Sequence, residues 1–437
     1  MKPQAVQPAG FQLVQIDKPI YGGAFLARIE GKAVFVPLAL PGEQVRIRIT
    51  QSKPGYATAE AEQIVTAAPE RVVPACPHFG ACGGCHYQHT GYETQLAFKK
   101  AILRETLERG GVAVPNEIAM LAAEPWGYRN RIRLVLGAAG NPGYRGRRSH
   151  AVIPISECPI AAPLLLRAAK VIAEVARQFT PAFRLAEMAL FCDAGESSLL
   201  ASIFAANSGE FFFDEFAQAL HQRIPALKGA ELVAEDPANQ MPRTFAQWGE
   251  KSLAYSAAGF DYRVGHGAFF QINRWLIDAL VERVTASHQG ALAWDLYAGV
   301  GLFARHLTAS FARVVAVESA PAATPALEEN LTGTAATAVQ ATTLDYLRRN
   351  RKPAHLNSTR PDLIVVDPPR AGLGVETCEM LAAISPPVLV YVSCDPATLA
   401  RDLRALLGSG YAIHSVTLAD LFPQTFHIET VVQLRRA

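Results

Sequence analysis

The chain has 437 residues, half of them hydrophobic, with 41 Lys and Arg against 39 Asp and Glu. That length allows two or three domains with cores of their own. A net charge of +2 excludes a chain-wide field for polyanions, so any nucleic-acid site must be a local patch.

The opening residues, MKPQAVQPAGF, lack the apolar run of an export signal, and no later run is long enough to span a bilayer. A cytoplasmic protein without a membrane partner is expected. Seven cysteines, an odd number in a long chain, suit metal or catalytic roles better than disulfides.

Residues 11–65 read as short strands. FQLVQI, FLARIE, KAVFVP, QVRIRIT and ATAEAEQIV are punctuated by Gly22-Gly23, Gly31, Pro41-Gly42 and Pro54-Gly55, a pattern that predicts a small β-barrel. Next come Cys76, Cys82 and Cys85, the last two beside Gly83-Gly84, with Cys158 far downstream. Four thiolates at this spacing suit either tetrahedral zinc or a [4Fe–4S] cluster. Residues 94–110 predict an amphipathic helix that stops at Gly110-Gly111.

Residues 127–148 hold six arginines and no acid. Arg129, Arg131 and Arg133 alternate as on one strand face; Arg145, Arg147 and Arg148 follow a Gly-Pro turn, and Tyr128 and Tyr144 add aromatic surface. Arginine suits phosphates and unpaired bases, so RNA is expected here rather than a merely solvated basic face.

From about residue 265, helical patterns alternate with the apolar strands ALAWDL, RVVAVE, LIVVDP and VLVYVSC, and YAIHSVTL and HIETVVQL close the chain. The expected fold class is α/β: a C-terminal doubly wound, Rossmann-like sheet preceded by a small β-barrel and a central α+β region. Gly299 and Gly301 after Asp295 make a tight turn, and Glu318 ends the next strand, where an acid can accept from ribose hydroxyls. The third glycine of a dinucleotide loop is missing, which favours S-adenosylmethionine over NAD.

Asp367-Pro368-Pro369-Arg370 predicts a rigid turn at a strand end, with carbonyls left free to hold a planar base. Ser393-Cys394-Asp395-Pro396 falls at another. A cysteine after a strand is usually a small hydrophobe. Here Asp295, Glu318, Asp367 and Cys394 all fall on one carboxyl rim of the sheet, where open α/β sheets bind ligands. Cys394 is therefore the candidate nucleophile, and Glu429, at the start of the last strand, the candidate base.

These motifs together resemble the RNA uracil-5 methyltransferase family. The resemblance is carried by Phe270-Gln271-Ile272-Asn273, DLYAGVGLF, DPPRAGL, SCDPATLARDL and FPQTFHIET. GGAFLARIEGKAVFVPLALPGEQV is similar to a TRAM barrel, an RNA-binding module with an OB-like fold, and the middle of the chain to the family's iron–sulfur branch.

The resemblance implies methyl transfer from S-adenosylmethionine to carbon 5 of a uridine, with Cys394 adding to carbon 6 and Glu429 taking the carbon 5 proton. It implies cofactor or base contacts from Gln271, Tyr297, Glu318 and Asp367, and a [4Fe–4S] cluster on Cys76, Cys82, Cys85 and Cys158. Its domain plan is a barrel over 1–70, an iron–sulfur domain over 71–93 and 125–262, and a catalytic domain over 94–124 and 263–437. The iron–sulfur branch points to 23S ribosomal RNA, with transfer RNA as the alternative, and to a monomer with no obligate protein partner.

Leu302, Thr342 and Asp395 depart from the residues usual at their positions. An amino-directed methyltransferase would carry an aromatic where Arg370 stands, and a non-catalytic iron–sulfur RNA-binding protein would not need Cys394 and Glu429.

Overall fold

The computed structural model describes residues 11–179, 184–206, 212–235, 241–350 and 360–437; the opening stretch read for an export signal lies mostly outside them. The described residues fall into two compact units. One holds the residues up to Glu105 with Arg145–Ile153 and Phe422–His427; the other holds Thr106–Tyr144, Pro154–Leu421 and Ile428–Ala437.

In the first unit, β1 (Gln12–Pro19), β2 (Ala24–Ile29), β3 (Lys32–Pro37), β4 (Gln44–Ser52) and β5 (Tyr56–Thr66) form a closed barrel of order β1-β2-β3-β5-β4. Alternation along each strand sends Val14, Ile16, Phe25, Val34, Val36, Val45 and Ile47 inward. Closure leaves no open edge, because β1 pairs with both β2 and β4. Tyr87 and the partly buried Phe98, from α1 (Tyr92–Arg109), pack on this core.

Two sheets, formed mainly by residues of the second unit, matter for the site. After β6 (Ala119–Leu121), the first is built from β7 (Arg131–Leu136), β8 (Pro142–Arg145), β9 (Val152–Pro154), β10 (Leu185–Cys192), β11 (Leu199–Ala205), β12 (Leu227–Glu235) and β13 (Pro242–Gly249). Its order is β13-β12-β11-β10-β7-β8-β9. The helices α2 (Pro163–Ala176) and α3 (Phe213–Arg223) bury Leu165, Ile172, Phe216 and Leu220 in a common core with Leu134, Met188 and Ile203. A short hairpin follows, β14 (Ser252–Ala257) with β15 (Phe260–Gly265).

After α4 (Ile277–Thr285) come β16 (Gly290–Leu296), α5 (Leu302–Leu307), β17 (Phe311–Glu318), α6 (Thr324–Leu331), β18 (Ala336–Gln340), α7 (Thr343–Asn350) and β19 (Leu363–Val366). The chain ends with α8 (Gly374–Ile384), β20 (Val388–Ser393), α9 (Pro396–Gly408), β21 (Tyr411–Ala419) and β22 (Glu429–Arg436). The sheet order is β18-β17-β16-β19-β20-β22-β21-β6.

β18 to β20 are parallel and β22 runs antiparallel to β20. Parallel strands joined by helices are covered on both faces, so β19 and β20 read as unbroken apolar runs. The order reverses at β16, the switch point outside which α/β folds bind ligands. The expected doubly wound sheet is therefore present, and β6 adds an edge strand through parallel pairing with β21.

Candidate active site and nucleic-acid surface

Asp295 lies near the end of β16, fully buried, its Oδ2 accepting the Ala304 amide at 2.8 Å. Its Oδ1 has no partner among the described residues. Burial, with Asp367 and Glu318 adding to it, pushes its carboxyl up to about 7. The turn that follows is tight: Tyr297, Gly299 and Gly301 have φ of 67°, 57° and 91°. A Cβ on Gly301 would come within 2.9 Å of Leu327, so glycine is needed there for both backbone and space. Tyr297 adopts the left-handed region without that freedom, a local strain of the sort found at ligand sites.

Glu318, ending β17, binds that turn directly. Its Oε2 accepts the Gly299 amide at 2.8 Å, and Oε1 accepts the Ser319 and Ala320 amides at 2.6 Å each. A carboxylate offers about four acceptor sites, so one remains for a hydroxyl donor. This cradle fits the nucleoside part of S-adenosylmethionine.

Gln271 sits in a loop held at both ends. Its carbonyl accepts Asn130 Nδ2 at 2.8 Å, while Asn273 Nδ2 donates to the carbonyls of Asp420 (3.4 Å) and Leu421 (3.3 Å). The Gln271 amide reaches Asp367 Oδ2 at 3.5 Å, where it can only weakly donate. Beside it Phe269 is 64 % exposed while Phe270 is buried. Reading Phe270 into the motif overlooked its neighbour, whose ring is the one open to a ligand.

Asp367, Cys394 and Glu429 belong to one electrostatic cluster at this rim. Burial pushes Asp367 up to about 7. Burial, with Asp367 adding to it, raises Glu429 well above the usual carboxylate range. The Cys394 thiol is pushed up to about 12 by burial and by the Glu429 and Asp367 carboxylates, against the pull of Arg370. The free site thus holds its protons, and a positive ligand would release them.

The three departures from the resembling family have local explanations. Asp395 caps α9, its Oδ1 accepting the Ala397 and Thr398 amides at 3.0 Å each. Thr342 Oγ1 accepts the Asp345 amide at 3.1 Å and so starts α7. Leu302 is buried, and its carbonyl accepts Tyr262 Oη at 3.1 Å.

The expectation of free carbonyls after Asp367 is corrected at three residues, the first being Pro369, whose carbonyl accepts the Gly372 amide at 2.8 Å. Arg370 O accepts Thr398 Oγ1 at 3.2 Å and Ala371 O accepts Arg401 at 2.8 Å, because α9 packs its first turns on that loop.

The basic residues divide between the units. β7 begins at Arg131, so Arg129 precedes the strand, in bridges with Ala161 and Asn273. Arg131 lies over Phe191 (4.6 Å to the centroid) and donates to Ala268 O at 2.9 Å, tying this strand to the Gln271 loop. Arg133 lies over Phe204 and pairs with Glu187 at 2.8 Å. A cavity of about 380 Å³ opens on this face, lined by Arg129, Arg131, Arg133, Tyr144, Phe191 and His266 among others. In the first unit Arg147 and Arg148 share Glu60 as a counter-charge, at 2.7 and 3.7 Å, so one positive charge remains. The sequence window had no acid because this one lies a strand away.

Cys76, Cys82 and Cys85 belong to the first unit and Cys158 to the second. None of the four is in a disulfide, and all are partly exposed. No group of three or more His, Cys, Asp or Glu among the described residues is gathered as a metal site. No described helix is long and apolar enough to cross a membrane.

Comparison with known proteins decides what this rim is. The tRNA (uracil-5-)-methyltransferase family matches residues 245–437, and the TRAM domain matches residues 11–61. An RNA methyltransferase of Nitratidesulfovibrio vulgaris is 32% identical over 445 residues, covering 96% of this chain and 95% of that one. The chain belongs to the RNA uracil-5 methyltransferase family. It is an S-adenosylmethionine-dependent RNA (uracil-5-)-methyltransferase with an N-terminal TRAM domain.

A 23S rRNA (uracil(1939)-C(5))-methyltransferase, RlmD, of Halomonas elongata is 30% identical over 429 residues, covering 95% of this chain and 87% of that one. The Pyrococcus abyssi tRNA (uracil-54, C5)-methyltransferase, solved with S-adenosyl-L-homocysteine, shares the fold. Its TM-score is 0.75 at 23% identity, over 96% of this chain and 100% of that one.

Proposed function

We propose that this methyltransferase modifies one uridine of 23S ribosomal RNA through a covalent adduct on Cys394. The observation carrying the reading is the pairing of Ser393 with Thr430, which sets Cys394, after β20, beside Glu429, at the start of β22, on the rim where Asp367 follows the parallel β19. The ribosomal substrate rests on the full-length similarity to the Halomonas enzyme.

Carbon 5 of uracil is a poor nucleophile. The Cys394 thiolate bonds to carbon 6, and the carbon 5–carbon 6 π pair moves into an enolate. S-adenosylmethionine supplies an electrophilic methyl, which carbon 5 takes. Glu429 then removes the carbon 5 proton; that electron pair re-forms the double bond and expels the thiolate. Glu318 and Tyr297 hold the cofactor, and Gln271 and Asp367 orient the base. Access to carbon 6 requires an unstacked uridine, and Arg129, Arg131 and Arg145 hold the surrounding RNA.

The donor chemistry of Cys76, Cys82, Cys85 and Cys158 fits a [4Fe–4S] cluster of structural role. The Gly84 amide already donates to Cys82 Sγ at 3.4 Å, and Gln88, whose Oε1 accepts the Cys76 amide at 3.0 Å, keeps a buried Nε2 without an acceptor. When bound, the cluster would link segments 71–93 and 125–262 into one domain, between a barrel over 1–70 and a catalytic domain over 94–124 and 263–437. The enzyme acts as a single chain in the cytoplasm.

A second reading, transfer RNA, is favoured by the Pyrococcus neighbour and the family description. Mapping 5-methyluridine in both RNAs of a deletion strain separates the two. Loss from ribosomal RNA alone supports the first reading; loss from transfer RNA alone establishes the second.

A further inference from the structure

α9 begins two residues after Cys394, and its first turns face the loop that follows Asp367. Three of its side chains bind that loop in succession. Thr398 Oγ1 donates to Arg370 O at 3.2 Å, and Arg401 to Ala371 O at 2.8 Å. Asp402 Oδ2 accepts the Leu373 amide at 2.7 Å. The same oxygen accepts Tyr391 Oη at 2.8 Å, from the strand that ends just before the nucleophile, and Oδ1 accepts Arg401 Nε at 2.8 Å. Asp402 is 1% exposed. The loop comes so close that a Cβ on Gly372 would sit 2.5 Å from Asp402 Oδ2 and 2.8 Å from Arg401.

From this we infer that Asp402 is a positioning residue for the reaction: it sets the loop carrying Asp367 and Arg370 in register with the strand and helix that flank Cys394. The inference rests on Cys394 being the nucleophile.

A buried carboxylate with three donors, one of them a paired guanidinium, is well satisfied, and it touches the loop, the nucleophile's strand and its helix together. Bond strength alone would not require that convergence. Reactivity does, because Asp367 and Arg370 oppose each other in setting the Cys394 thiol's proton affinity. A shift of loop against strand therefore changes both the target's seat and the thiol. Asn in place of Asp402 would turn an NH₂ toward one of the present donors and push loop and strand apart.

The test uses the full-length enzyme with RNA bearing the target uridine or its 5-fluoro analogue. Asp402→Asn should keep S-adenosyl-L-homocysteine binding and the KM for RNA within about threefold, while single-turnover methylation and fluorouridine adduct formation both fall about 100-fold, the scale of a 1 Å misplacement. Gly372→Ala, which presses on the same contact from the loop side, should reproduce that kcat loss. Tyr391→Phe, losing one hydrogen bond, should slow adduct formation about fivefold.

If Asp402→Asn does not fold, Gly372→Ala and Tyr391→Phe carry the test. Wild-type adduct rates in the folded variants would overturn the inference. So would a rate loss that vanishes on cooling in step with the melting curve, or a loss confined to cofactor affinity. If Cys394→Ala still forms the adduct, the underlying reading fails instead.

Discussion

At the rim of the β16–β22 sheet, candidate residues from separate strand ends are held in place by backbone amides, caps and buried polar contacts. The cysteine loop of residues 76–85 is held by short turns, such as Phe79 N to Cys76 O at 3.1 Å and Cys82 N to His78 O at 2.8 Å, and by backbone bonds to residues 145–147, Gly83 N to Arg145 O at 3.2 Å and Arg147 N to Ala81 O at 3.0 Å. Each region has a cysteine of proposed chemical role. Cys394 follows a buried strand and precedes a capped helix, so polypeptide alone sets its surroundings. Cys76, Cys82 and Cys85 are partly exposed, on a loop fixed through its backbone. A site assembled by burial is complete in the polypeptide; a site assembled by a metal needs the metal.

The largest effect should come from the rim. Cys394→Ala should lower methylation more than about 1000-fold, with S-adenosylmethionine affinity unchanged by calorimetry. Residual turnover near wild type would break the comparison at its first point, since the rim cysteine would then be as silent as a structural one.

Glu429→Gln sharpens it. Methyl transfer still occurs but elimination stalls, so turnover should fall about 100-fold or more while a methylated protein–RNA adduct survives denaturing electrophoresis. Normal turnover without adduct would place the base elsewhere.

In the other region, anaerobically purified protein should hold about four irons per chain, and Cys82→Ser or Cys158→Ser should lose them and melt earlier. Stoichiometric zinc without iron would overturn the cluster.

Smaller again is the RNA surface. Arg129→Ala should weaken RNA binding and reduce the salt slope by about one, the share of a single phosphate held by its guanidinium. An unchanged slope in filter binding would remove that arginine from the interface.

The smallest effect is on stability. Asp295 and Asp367 are pushed up to about 7, and Glu429 is raised as well, so between pH 4 and 7 these three carboxyls bind more protons in the folded chain than in the unfolded one. Their contribution is present at low pH and falls as pH rises through that window. Glu429→Gln should therefore melt near wild type at pH 4.5 and about 2 °C or more higher at pH 8. A difference of the opposite sign would show that Glu429 ionises readily when folded.

Much of this was legible in order along the chain. Period-two alternation marked the barrel, and β16, β17, β19 and β20 announced a parallel sheet through apolar runs too short for helices. With topology granted, Asp295, Glu318, Asp367 and Cys394 had to share a rim, since parallel strands end on one side. Cys394 and Glu429 could thus be named without coordinates in space.

Contacts between distant segments were not legible. Glu60 pairs with Arg147 and Arg148 from a strand that pattern alone cannot place beside them. Which of Phe269 and Phe270 faces outward depended on how Asn130 and Asn273 anchor their loop. Asp402 is buried and receives donors from a loop, a strand and its own helix, a convergence that no local pattern marks. Periodicity and motif order are local properties, so sequence by itself determined the elements and the family. Burial and the partner of each charge depend on segments that meet only in the folded chain, and those the tertiary structure decided.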